Sequence, residues 1–391
     1  MNSELIGRLL FLISLAYASL STVSSSPASA ASASSVSADI KEALGSSDQY
    51  FPRSDLVLDM AQLSHSIYKL KRGRHSCHRV DEEELLKLNG TECLHYSHDF
   101  ELGTQVLIVR SRTYNYVAVA FSGTDDWRTS ISDGKILTDK FSTYNLNNGT
   151  EDTVFKHQVP EGVRVHRGFN QAVFDSNHYQ SIMGCIHIAR SGGYCDGRSG
   201  SQLAEPLQLL TTGHSLGAAD SMLLGAALHL TYPQETIRSI NFGCPKVGNM
   251  EWSLWINSLQ PDKAGPNKGS LEVFRFVNKI DIVARLPELL FYHAGHTIQM
   301  SVGGPVRAYF DHIGNSDLGY APVPMGWEEA PYVLLPIAIE NHMCSKYVEW
   351  LQEFRPSSNG TSTTTPMIGH YVDKFERIED LESDQETTSL S

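Results

Sequence analysis

No sustained run of basic residues occurs anywhere in this chain, and 31 lysines and arginines stand against 44 aspartates and glutamates, a formal charge of −13. That balance excludes nucleic acid, or a strongly anionic membrane, as a partner held by electrostatics alone. Neither Cys-x-x-Cys nor a His-x-x-x-His pair occurs, so no spacing typical of a zinc site is present. No repeat with a period of roughly 20 to 50 residues is found, which removes solenoids and propellers. Beyond the first residues there is no apolar run long enough to cross roughly 30 Å of hydrocarbon, and no integral membrane span is expected. What the chain does have is a hydrophobic fraction of 41% over 391 residues, ordinary for a globular core and sufficient for one large domain or two modest ones.

Arg8, the apolar run from Leu9 to Leu20 and the small residues after it follow the order of a secretory signal peptide. Ala16-Tyr17-Ala18 and Ala28-Ser29-Ala30 both fit a cleavage pattern, while Glu4 runs against the usual positive bias. A signal anchor is the rival reading, for which the apolar core is short. The expected location is outside the cell or in the lumen of the secretory pathway. Six cysteines suit an oxidising compartment, and their positions suggest the local pairs Cys77 with Cys93 and Cys185 with Cys195. Cys244 and Cys344 then remain, and six buried thiols are the alternative. The acceptor sequons at Asn89, Asn148 and Asn359 agree with the same route.

Residues 1–38 read as signal peptide and a Ser/Ala-rich leader, too poor in apolar side chains to offset the entropy of ordering. Residues 39–355 read as one folded domain, and 356–391 as a Ser/Thr-rich linker and acidic tail. Within the domain, helical spacing predicts an amphipathic helix from Asp55 to Lys69, then strands over Gln105–Val109 and Tyr116–Phe121. A helix is expected from His166 to Ile188, a short buried strand over Leu207–Thr212, and an apolar helix over Ala218–Leu230. Strands over Thr236–Phe242 and Val273–Val277 follow. Alternating strands and helices of this kind predict an α/β fold, a mostly parallel sheet flanked by helices.

Gly213-His214-Ser215-Leu216-Gly217 has the form Gly-x-Ser-x-Gly between an expected strand and an expected helix, the context in which a nucleophilic serine sits on a sharp turn. The two glycines leave room for a strained serine, and the helix start aims the N–H of Leu216 at a developing oxyanion. A serine hydroxyl near neutral pH needs a histidine base steadied by a carboxylate. Asp281 directly follows the strand Val273–Val277, where the order serine, acid, histidine requires the acid. Asp220 lies on the nucleophile helix and is set aside. His342 follows the apolar segment Tyr332–Ile339 and precedes a helix with Tyr347, Trp350 and Leu351 on one face. His370 also has the right order but lies beyond the linker, and His293 and His296 belong with the next strand. His214, beside the serine, reads as a structural histidine.

At these residues the chain resembles the class 3 lipases, the fungal-type triacylglycerol lipase family, over about Asp55 to Phe354. The elbow around Ser215, the segment Asn241 to Asn249, the acid segment Arg275 to Pro287 and Tyr292-His293-Ala294-Gly295 are similar to that family's motifs in the same order. Ala120-Phe121-Ser122-Gly123-Thr124 is similar to the family's strand ending in Arg-Gly-Thr, which implies Thr124 as the second oxyanion donor; Ser122 stands in place of the arginine. Asn341 stands before His342 where the family usually has aspartate. The resemblance implies an α/β-hydrolase fold and a Ser215–Asp281–His342 triad with an oxyanion hole from Thr124 and Leu216. It implies no metal and no organic cofactor. A bridge between Cys244 and Cys344 is expected to tie the loop after the nucleophile strand to the histidine loop.

The implied reaction is acyl transfer through an acyl-enzyme, with a lipid ester as substrate partner, at a lipid–water interface if the lid allows it. The resemblance places that lid over about Asp125 to Gly162, where Trp127, Ile131, Ile136, Leu137 and Phe141 are candidates to cover an acyl groove. Triglyceride, phospholipid, galactolipid and aryl ester all stay open. So do two rivals: another serine acyl enzyme, such as an acyltransferase or peptidase, and a non-catalytic lipid-binding homologue.

Overall fold

The computed structural model describes residues 52–70, 77, 90–123, 137–145, 150–175, 178–196, 207–261, 268–278, 281–287, 290–300, 307–309 and 340–353. The signal-like start, the leader, the three sequon asparagines, Thr124, Trp127, Ile131, Ile136, the segment Tyr332–Ile339, His370 and the acidic tail lie outside the described residues.

The chain runs α1 (Ser54–Lys69), β1 (Thr91–His98), β2 (Gln105–Ser111), β3 (Tyr116–Phe121), β4 (Thr138–Lys140), β5 (Thr143–Asn145), β6 (Glu151–Thr153) and β7 (Arg164–His166). It continues through α2 (Arg167–Phe174), α3 (His178–Arg190), β8 (Gln208–His214), α4 (Leu216–Thr231), β9 (Ile237–Phe242), α5 (Met250–Asn257) and β10 (Leu271–Asn278). β11 (His296–Met300), β12 (Arg307–Tyr309) and α6 (Cys344–Glu353) complete it. Eight strands make one sheet in the order β1-β2-β3-β8-β9-β10-β11-β12. β3, β8, β9, β10 and β11 are parallel neighbours, and β1, β2 and β12 extend the sheet antiparallel at its edges.

This is the α/β architecture expected from the alternation of strand and helix. Helices cover both faces, so the inner strands are buried on both sides and read as nearly continuous apolar runs; every residue of β2, β3 and β10 is buried. Successive side chains still alternate. Ala118 and Ala120 join Phe242, Phe274 and Phe276 under α1 and α6, whereas Val117, Val119 and Phe121 join Leu209 and Val273 under the helices of the other face. α4 is apolar nearly all round and almost wholly buried, as a helix packed inside a large core must be.

Three expectations need correction. The helix expected over His166–Ile188 is two, α2 and α3. α2 stops at Asp175, whose carboxylate takes the backbone N–H and the side-chain amide of Asn145 from the end of β5. Phe141, a candidate for covering an acyl groove, is a core residue: its ring packs 5.3 Å from Phe174 and 5.5 Å from Trp252, while Leu137 is 44% exposed. Cys77–Cys93 and Cys185–Cys195 are disulfides, but Cys244 and Cys344 are free and buried. Each packs as a small apolar side chain, Cys244 with its thiol on the carbonyl of Pro245 at 3.3 Å.

Candidate active site

β8 delivers Ser215 at the C-terminal edge of the parallel sheet, and α4 starts at the next residue. Ser215 has φ 60° and ψ −130°, a backbone conformation costly for any residue with a Cβ and a mark of functional strain. The neighbours make it sterically achievable. A Cβ on Gly213 would run into the carbonyl of Gly217, and one on Gly217 into the carbonyl of Phe121, so only glycine lets strand, turn and helix close on one another. The turn is pinned by the N–H of Ser215 on Phe242 O at 3.0 Å.

The other two candidates converge there. The hydroxyl of Ser215 lies 2.9 Å from Nε2 of His342, and Nδ1 of His342 lies 2.8 Å from Oδ2 of Asp281. A carboxylate accepts only, so Nδ1 carries the proton and Nε2 is left to accept the serine proton. All three side chains are buried. Asp281 sits in the turn after β10, where its Oδ1 accepts the N–H of Val283 at 2.8 Å. Its Oδ2 also accepts the hydroxyl of Tyr347, on α6, at 2.6 Å. Burial, with the charge of Asp281 beside it, pushes the Tyr347 phenol well above its ordinary range, which keeps it a donor. The same hydroxyl accepts the N–H of Asn278 at 3.0 Å. Gly243, φ 58°, brings the end of β9 so close that a Cβ would stand 2.8 Å from Asp281 Oδ2 and 3.1 Å from the ring of His342.

The departures from the family pattern have local partners. Ser122 pairs with β2 through its N–H on Gln105 O at 3.0 Å and its hydroxyl, which accepts the N–H of Gln105 at 3.2 Å. Asn341 accepts a 2.9 Å bond from the amide of Asn278, tying the histidine loop to the end of β10. Of the two expected oxyanion donors, Leu216 is the first residue of α4, so its N–H lies outside the helix's own bonding ladder; Thr124 lies outside the described residues.

Of the two histidines expected on the next strand, His293 lies before β11 and binds the turn after β10 instead. Nδ1 of His293 takes a 2.7 Å bond from Arg275, and its Nε2 donates to Ala284 O at 2.9 Å, bracing the turn that carries Asp281. Burial draws the Arg275 guanidinium down to about 10. His296 opens β11. Asp220 is buried on α4, apart from the Ser215–His342–Asp281 chain, with one carboxyl oxygen lacking a partner. Sequence reasoning missed Tyr347 as a partner of the acid, and Tyr68, which bonds both Gly123 and His214. No local spacing signals either, because the contacts span 55 to 146 residues. Among the described residues no group of three or more His, Cys, Asp or Glu is placed to hold a metal ion, and no helix is long and apolar enough to cross a membrane.

Residues 118–291 match the family described as lipase (class 3). Triacylglycerol lipase OBL1 of Arabidopsis thaliana is 26% identical over 318 residues, 67% of this chain and 58% of that protein. Phospholipase A1-IIalpha of the same plant is 30% identical over 107 residues, 25% of this chain and 23% of that one. The chain thus spans less than two-thirds of the length of these curated relatives. Among solved structures, the non-glycosylated Lip2 lipase of Yarrowia lipolytica superposes with a TM-score of 0.52 at 17% identity, over 73% of this chain and 91% of that one, a likeness of fold. Motif order, sheet topology and the matched segment agree: the chain has the α/β-hydrolase fold, and its residues 118–291 are similar to the class 3 lipases.

Proposed function

We propose that this protein is a secreted serine hydrolase of carboxylic esters that acts on acylglycerols or related lipid esters. The observation that carries the reading is the continuous buried chain from the Ser215 hydroxyl through His342 to Asp281, at 2.9 and 2.8 Å. His342 takes the proton of Ser215 as the oxygen attacks the ester carbonyl; the same imidazole then protonates the departing alcohol. Water, activated by His342 in the second half, releases the acid from the acyl-enzyme. The N–H of Leu216, at the positive end of α4, and that of Thr124 hold the tetrahedral oxyanion, each worth roughly 2.7 to 4 kcal/mol when aimed well. The chemistry calls for no metal or organic cofactor. Lipid as the substrate class draws support from the relatives, one a triacylglycerol lipase and one a phospholipase A1. Two disulfides support the secretory reading.

The test is labelling with a fluorophosphonate, followed by a panel of glyceride, phospholipid and peptide substrates of graded acyl length. Wild type should label and release fatty acid from at least one lipid ester, and Ser215→Ala should do neither. A correctly folded wild type that does not label would leave the non-catalytic reading in its place; labelling with turnover of peptides alone would leave the peptidase.

A further inference from the structure

The buried machinery extends past the three residues to a second imidazole that the chemistry above does not use. His214, the residue before the nucleophile, is buried and lies against the base, its ring centroid 4.6 Å from that of His342 and its plane tilted by 34°. Its Nε2 is 2.5 Å from the backbone carbonyl of His342. Its Nδ1 is 2.9 Å from the hydroxyl of Tyr68 on α1, and that same hydroxyl stands 3.0 Å from the N–H of Gly123.

With His214 neutral, the proton inventory gives one arrangement, in which the Tyr68 hydroxyl, also 3.3 Å from the His214 carbonyl, meets its nearer acceptor at Nδ1. A carbonyl and an amide N–H have fixed roles. The His342 carbonyl can only accept, so His214 carries its proton on Nε2. Gly123 can only donate, so the Tyr68 oxygen accepts from it and directs its own proton to Nδ1 of His214. Every donor then has an acceptor, and the ring is neutral. Burial, and the second imidazole beside it, hold the His214 pKa well below the ordinary histidine range, in agreement with that state. Gly123 has no room for any other residue: a Cβ there would collide with the Tyr68 hydroxyl and stand 3.1 Å from the Ser215 Cβ.

The ends of this relay matter. One is the backbone of His342, whose ring orientation decides whether Nε2 meets Ser215. The other is the last peptide before Thr124, the residue expected to supply the second oxyanion donor. We propose that Tyr68 and His214 are positioning residues that couple the end of β3 to the histidine loop, so that oxyanion donor and general base are held in register as one unit. The inference rests on the proposed ester hydrolysis.

Tyr68→Phe removes one oxygen, and His214→Gln keeps a donor but shortens and reorients it. Each should lower kcat for a soluble ester about tenfold or more and leave KM within about twofold, because the loss falls on transition-state geometry and not on ester binding. The rate of fluorophosphonate labelling should fall in parallel. A shared relay also predicts that the double variant loses little more than the worse single one, since residues acting as a unit are non-additive. Circular dichroism and a urea titration identify variants that do not fold; Tyr68→Phe then carries the test if His214→Gln fails. Wild-type kcat and labelling rate in folded Tyr68→Phe would overturn the coupling, as would fully multiplicative losses in the double variant. Absence of labelling in wild type would instead defeat the ester-hydrolase reading, so the two failures are separable.

Discussion

Both oxygens of Asp281 are engaged, Oδ1 by the backbone of its own turn and Oδ2 by His342 and Tyr347. An asparagine there keeps the shape but offers an amide, and the amide nitrogen cannot hold the Nδ1-protonated imidazole. Asp281→Asn is therefore expected to reduce kcat by roughly 10⁴ with KM nearly unchanged, the effect of presenting the wrong tautomer to the nucleophile; steady-state kinetics on a soluble ester measure it, and a loss below tenfold would remove the carboxylate from its assigned role. Asp220 makes an opposite kind of prediction. Its burial raises the carboxyl pKa well above the ordinary value, so the folded state keeps the proton after the unfolded chain has lost it. Below the unfolded pKa of about 3.8 both states are protonated and the group is neutral to stability. As pH rises above that value the unfolded state ionises first and folding loses free energy. Asp220→Asn removes this penalty. The variant should match wild type in thermal midpoint near pH 4 and exceed it near pH 8, and an equal shift at both values would show that packing, not ionisation, sets the cost.

At the scale of elements, the two helices on one face of the sheet act through packing. α6 begins two residues after His342, and its Trp350 and Leu351 bury against the cluster that includes α1. Removing the indole should cost about 3 to 5 kcal/mol, the usual range for a large buried aromatic replaced by alanine. Trp350→Ala is thus expected to lower the urea midpoint accordingly, with esterase activity lost at lower urea than the helical signal, because α6 holds the histidine loop. A midpoint shift worth less than about 1 kcal/mol would mean that α6 is not part of the cooperative core. These elements also show what the sequence discloses. β3, β8, β9 and β10 were readable because a strand buried on both faces is a short apolar run, and α1 because its apolar residues recur with helical period. Ser215 and Asp281 were readable because a strained turn between strand and helix, and an acid directly after a strand, are local patterns. The three-residue strands β4 to β7 carry no period long enough to detect. α5 was overlooked although Asn249 caps it by accepting the N–H of Trp252, a signal within reach. Tyr68, His214 and Tyr347 gain their roles from contacts between helices on one face and strand ends 55 to 146 positions away, and no spacing records that.

Across the whole molecule, covalent and noncovalent constraints fall in different places. Cys77–Cys93 ties Cys77 to the edge strand β1, and Cys185–Cys195 ties α3 to the turn that follows it. Each closes a short loop, the longer spanning 16 positions, a constraint worth roughly 3 kcal/mol on the unfolded chain in the entropic account. The centre of the sheet, where Ser215, Asp281 and His342 meet, has no crosslink among the described residues and is held by packing and hydrogen bonds alone. The two remaining cysteines lie in that centre. Burial pushes the Cys244 thiol up to about 12 and the Cys344 thiol higher still, and the thiolate is the reactive form. Both should resist alkylation near neutral pH for as long as the fold is intact. Of the thiols at the described cysteines, native protein treated with iodoacetamide should therefore expose none, denatured but unreduced protein two, and denatured and reduced protein all six, the last count matching the cysteines in the chain. Peptide mapping under non-reducing conditions assigns each carbamidomethyl group. A denatured, unreduced sample in which Cys244 and Cys344 stay joined would restore the third bridge expected from the sequence and place a covalent link beside His342. Two labels at those positions would leave the register of Ser215, His342 and Asp281 to noncovalent contacts, which is the condition under which a relay such as that through Tyr68 and His214 has work to do.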